Sequence, residues 1–115
     1  GSGGDIDLAD GTYNLSLIGT NGQTHTGEAY LNQIGTMLTV QLFCTLGNFN
    51  FSGRLETSTT MATSHFEATG ADYSELTLEF SPNRDSFTGD ISIPLDITDT
   101  EATSSAVYLV HGTKI

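Results

Sequence analysis

Apolar and polar residues alternate along most of this chain. In FTGDISIPLDI, Phe87, Gly89, Ile91, Ile93, Leu95 and Ile97 fall on one face, and Thr88, Asp90, Ser92, Pro94 and Asp96 on the other. Successive side chains of a strand point to opposite sides, so this period of two predicts a strand with one buried face. Pro94 cannot donate to a ladder and predicts an edge or a bulge. ELTLEF repeats the pattern, with Leu76, Leu78 and Phe80 opposite Glu75, Thr77 and Glu79.

Other segments read the same way. TYNLSLI aligns Tyr13, Leu15 and Leu17, and THTGEAYL aligns Ala29 and Leu31 against Glu28 and Tyr30. TMLTVQLFC aligns Leu38, Val40, Leu42 and Cys44, NFNFSGRLE aligns Phe49, Phe51 and Leu55, and MATSHFEA aligns Ala62, Ser64, Phe66 and Ala68. The last strand, AVYLVHG, is apolar on both faces, which predicts cover on both sides.

Turn residues separate these runs. Asn21-Gly22 is a strong hairpin signal, and Gly recurs in QIGTM, TLGN and TGADY. SPNRDS joins two of the best amphipathic strands, so Asn83, Arg84 and Asp85 are expected to be an exposed, dispensable chain reversal. TDTEATSS is the longest acidic linker. Eight strands with short links and no visible helix predict an all-β fold. The expected form is a single antiparallel up-and-down barrel of about eight strands, with a β-sandwich as the alternative. The expected organisation is a flexible acidic N-terminus over 1–10, its GSGG reading as a cloning remnant, and one barrel domain over 11–115.

Composition narrows the partners. Fourteen acidic residues face only Arg54, Arg84 and Lys114, giving a net charge of −11. Nucleic acid and anionic membranes need clustered cations, so neither is an expected partner. No run approaches the ~18 apolar residues of a membrane span, so no membrane insertion is expected. One cysteine, Cys44, cannot form an internal disulfide and sits in an apolar run as a small hydrophobe.

Candidate chemistry is sparse. DIDLADG carries Asp5, Asp7 and Asp10, but the fifth and twelfth positions counted from Asp5 are Ala9 and Ser16, so it fails as a calcium loop. Asp96, Asp99 and Glu101 in PLDITDTEA read as solvated acids before they read as weak calcium ligands. His25, His65 and His111 lie on separate strands, His65 facing away from the core and His25 near a turn; a shared metal site is not expected. His111 beside Glu67 or Asp96 would make an acid–base pair, though no spacing requires it. No hydrolase elbow, phosphate loop, zinc-protease helix or redox motif occurs. The sequons at Asn14 and Asn50 are within chance.

Gly11, Tyr13, Gln33, Gly35, Leu38, Phe51, Gly53, Phe87, Gly89 and Gly112 together form a G-x-Y start, a Q-x-G-x-x-L strand, repeated F-x-G hairpins and a closing strand near a Gly. This pattern, spread over most of the chain, resembles small secreted bacterial β-barrels of calycin type, the architecture of lipocalins and avidins. The motifs describe barrel mechanics and name no ligand. The chain has no Trp, so biotin stacking of the avidin kind is not carried over, and Tyr13 stands where lipocalins usually have a Trp.

The resemblance and the inward aromatics imply a secreted or periplasmic barrel that binds a small, mostly apolar molecule without catalysis, and no cofactor is expected. Its expected ligand-binding residues are Tyr13, Phe51, Phe66, Tyr108 and His111; no catalytic residue is assigned, and the oligomeric state stays open. Small inward residues such as Ala29, Gly53, Ala62, Ser64, Ala68 and Gly89 predict an incompletely filled interior. The alternatives are a cyclase- or isomerase-type enzyme using the barrel cavity and a structural or surface-assembly subunit.

Overall fold

The computed structural model describes residues 9–57, 64–71, 73–94 and 105–115. These form eight strands: β1 (Gly11–Gly19), β2 (Thr24–Ile34), β3 (Met37–Cys44), β4 (Gly47–Thr57), β5 (Ser64–Thr69), β6 (Glu75–Phe80), β7 (Ser86–Pro94) and β8 (Ser105–Lys114). Each pairs antiparallel with the next, and β8 pairs back onto β1, closing the barrel. The up-and-down barrel is therefore the fold, and the sandwich is not. Closure satisfies the backbone groups that an open sheet would leave at its edges.

The alternation fixes which face is inside. Tyr13, Leu15 and Leu17 of β1, Leu38, Val40 and Leu42 of β3, and Leu76, Leu78 and Phe80 of β6 are all buried, while their sequence neighbours face out. Each large apolar side chain taken from water contributes ~1.5–3 kcal/mol, so a slip by one residue would cost the whole inner face of a strand. Pro94 closes the β7–β8 ladder opposite Ser105, at a strand end where its missing amide does no harm.

Two glycines mark where strands approach too closely for a side chain. A Cβ on Gly27 would lie 1.9 Å from the carbonyl oxygen of Phe43, and one on Gly89 would lie 1.8 Å from that of Thr77. Such contacts belong to the sharply bent places of a small barrel.

β8 departs from expectation. Its outer residues Val107 and Leu109 are 45% and 62% exposed, and no described residue covers them. Residues Asp5, Asp7, Ala62, Leu95 to Ile97, Asp99 and Glu101 lie outside the described residues, as does the TDTEATSS segment up to Ser104.

Candidate ligand site at the upper end of the barrel

The ends of the barrel differ. The lower end holds the β2–β3 and β6–β7 turns, the start of β1 and the end of β8. It is sealed by an aromatic chain: Tyr13 and Phe87 lie 5.0 Å apart between centroids, and Phe87 and Phe80 lie 5.5 Å apart. Gly112 makes this packing feasible, since a Cβ there would meet the Phe87 ring at 2.1 Å. A Cβ on Gly53 would likewise lie 3.2 Å from the ring of Phe66. At Gly112 and Gly53 the rings of Phe87 and Phe66 therefore take up the space that a side chain would occupy. Tyr13, Phe51 and Phe66 belong to one contiguous core, with Tyr13 and Phe66 fully buried.

Arg84 completes this floor and corrects the expectation of a dispensable turn. SPNRDS does reverse the chain, with Asn83 and Asp85 exposed. Arg84, however, is only 5% exposed and has φ +55. Its Nη2 donates to Ser64 Oγ at 2.6 Å and to Thr57 Oγ1 at 3.1 Å. The left-handed backbone turns the side chain under the barrel, a placement that turn propensities do not encode. Burial first, then the negative charge of Asp10 and Asp85, pushes the Tyr13 hydroxyl well above the ordinary tyrosine range. Lys114 Nζ stands 5.5 Å from the Tyr13 ring centroid. Ala9, buried against this end, donates its amide to Gln33 Oε1 at 2.9 Å, and Asp10 accepts the amide of Gln33.

The upper end is less sealed. Cys44, Leu46, Ala68, Ile93 and Tyr108 are half-buried and pack on top of the core. His25 is at the same end, on the inward face of β2 with Ala29 and Leu31. Its Nδ1 lies 2.9 Å from Thr45 Oγ1. Its Nε2 is buried and has no hydrogen-bond partner among the described residues. The Tyr108 ring meets the imidazole edge-on, 5.7 Å away between centroids. A Cβ on Gly19 would lie 3.2 Å from that ring, so Gly19 lets Tyr108 lie across β1 toward His25. A buried polar atom without a partner costs ~1–3 kcal/mol, so Nε2 is the one core-facing group here that a bound molecule would relieve. It offers a donor or an acceptor, whichever role the Thr45 bond leaves to it.

Of the residues expected to touch a ligand, the structure places only Tyr108 at this upper end. Tyr13, Phe51 and Phe66 lie in the packed core. His111 is exposed on the outer face of β8, opposite Thr88 and Ser16, because it has the parity of Val107 and Leu109 and not that of Tyr108. The histidine that meets carboxylates is His65, on the outside of β5, which contacts Glu79 through Nδ1 and Glu67 through Nε2 at 3.4 Å. Sequence reasoning missed His25, although its parity with Gly27, Ala29 and Leu31 placed it inside. Among the described residues no three metal-ligating side chains converge, and no helix is long and apolar enough to cross a membrane.

No protein-family model matches the chain, and no curated protein does. Solved structures do. A redesigned β-barrel matches with a TM-score of 0.60 at 12% identity, covering 96% of this chain and 97% of that one. The structure of mFAP2b bound to DFHBI matches with a TM-score of 0.61 at 12% identity, covering 93% and 94%. A de novo fluorescence-activating barrel matches with a TM-score of 0.55 at 14% identity, covering 96% and 99%. At such identities the likeness is one of fold: an eight-stranded antiparallel barrel.

Proposed function

We propose that this barrel binds a small, mostly apolar molecule at its upper end without catalysis, and that it is a calycin-type barrel acting in a secreted or periplasmic setting. The observation that carries the binding reading is the buried Nε2 of His25, without a partner among the described residues, at the end of the barrel where Tyr108, Leu46 and Ile93 are only half-buried. The ligand's apolar body would replace water against Ile93, Leu46 and Ala68, and one polar atom would bond to Nε2. Tyr108, whose ring meets the imidazole edge-on, is the side chain that would move aside. The existence of similar barrels solved with a small dye bound supports a small molecule as the ligand class.

The test is titration with a neutral naphthylamine fluorophore. Saturable binding by wild type, lost in Tyr108→Trp, which narrows the opening, supports the reading. Absence of saturable binding to the folded protein contradicts it. A structural or surface-assembly role is the second reading, favoured by the packed floor and the exposed apolar residues of β8.

A further inference from the structure

The outer wall of the upper half carries two kinds of surface side by side. Cross-strand register sets Glu67, Thr77, Asp90, Leu109 and Ile18 in one row across β5, β6, β7, β8 and β1. The next row reads Thr69, Glu75, Ser92 and Val107. Glu67, Glu75 and Asp90, with Thr77 and Ser92 among them, line an outer groove of about 390 Å³. Directly beside it, Val107, Leu109 and Ile18 are 45%, 62% and 41% exposed. Asp90 is the register partner of Leu109, so the acidic and apolar halves share a border.

We propose that this wall is a docking surface for a basic amphipathic polypeptide segment, whose apolar side chains cover Val107, Leu109 and Ile18 while its Lys or Arg residues enter the carboxylate groove. Exposed apolar side chains on one face mark interaction sites when they adjoin a polar rim. Charge sets the occupant. A partner over this wall meets three carboxylates, and complementary charge steers its approach. A second copy of this chain would bring the same carboxylates and few cations: Arg84 is buried, Lys114 stands over Tyr13, and Arg54 lies on β4, away from this wall. An isologous contact would face acid with acid. The apolar row also disfavours a purely polycationic partner, which would leave it in water.

The test is fluorescence anisotropy with a labelled synthetic peptide that presents Lys on one helical face and Leu on the other. Two control peptides replace Leu by Ser, or Lys by Glu. The Lys/Leu peptide is expected to bind saturably and the controls far more weakly. Leu109→Ser is expected to weaken binding by about tenfold, the effect of one apolar anchor. Glu67→Gln with Asp90→Asn is expected to weaken it and to flatten its salt dependence. Glu28→Gln, on β2 outside both rows, is expected to change nothing. Equal loss with Glu28→Gln, or none with Leu109→Ser, would mean unspecific attraction to an acidic protein and would overturn the proposal. So would equally tight binding of the Lys/Ser peptide, absence of binding, or concentration-dependent self-association abolished by Leu109→Ser. Circular dichroism of each variant verifies the fold. The two rows have outward parity and His25 has inward parity, and although Ala68 borders both sites, loss of peptide binding in Leu109→Ser and loss of fluorophore binding in Tyr108→Trp are read separately.

Discussion

The hydroxyl of Tyr13 donates toward the backbone carbonyl of Arg84, 2.9 Å away and 71 positions later in the chain, and toward that of Ala9 at 2.8 Å. One phenol thus holds the β6–β7 turn and the N-terminal segment against the same end of the barrel. Replacing it by Phe removes the donor that these two buried carbonyls share. Tyr13→Phe is expected to cost ~1–3 kcal/mol in urea unfolding.

The same phenol makes a prediction about alkali. Because folding raises its pKa above the unfolded value of 10.0, the folded state holds this proton more tightly. The stability it contributes is complete below that value and is lost as pH rises beyond it. Tyrosinate absorbance is expected to show Tyr13 ionising only together with alkaline unfolding, and Tyr13→Phe is expected to remove that component.

Arg84 separates backbone from side chain. Arg84→Ala keeps a Cβ at φ +55 and removes the guanidinium bonds to Ser64 and Thr57, leaving the two hydroxyls to each other, for an expected loss of ~1–3 kcal/mol. Arg84→Gly loses the same contacts but relieves the left-handed backbone, and is expected to be the more stable of the two by ~1 kcal/mol. Equal stability of the two variants by urea unfolding would remove backbone strain from the account.

Gly112 tests how tightly the floor is packed. Gly112→Ala places a methyl into the Phe87 ring and is expected to destabilise by ~1–3 kcal/mol. Adding Phe87→Leu should restore part of the loss, a non-additivity that a double-mutant cycle measures.

His65 predicts a pH dependence. Its hydrogen bond to Glu79 raises its pKa above the ordinary 6.5; burial opposes this in part, and Glu67 adds to it. The pair therefore contributes fully below the unfolded pKa, and the contribution fades as pH rises through the higher folded value. Melting temperatures from about pH 6 to about pH 9 should fall more for wild type than for His65→Gln.

The barrel was legible because alternation in Tyr13–Leu17, Leu38–Leu42 and Leu76–Phe80 encodes both strand and face, and a closed sheet is the economical way to bury one face of every strand. The site was less legible. His111 is expected at the ligand, although counting by twos from Val110 puts it outside, and the nearness of His25 to a turn hides its parity. Arg84 escapes the sequence for a different reason: a turn sequence predicts the reversal, but where a long side chain then goes depends on Ser64 and Thr57, which are remote in the chain. Nor does a small inward residue mean a void, since Gly112 and Gly53 exist to admit the rings of Phe87 and Phe66.

The proposed binding of a small molecule at the upper end, at His25, has a direct test. Nuclear magnetic resonance titration of the folded protein with the naphthylamine fluorophore tests it directly, following the His25 ring nitrogens and the methyls of Ile93, Leu46, Val107 and Leu109. Saturable shifts at His25 Nε2 and Ile93, with Phe80, Phe87 and the outer methyls unmoved and the response lost in His25→Leu, are the predicted result. Shifts confined to Val107 and Leu109, or none that saturate, would contradict it.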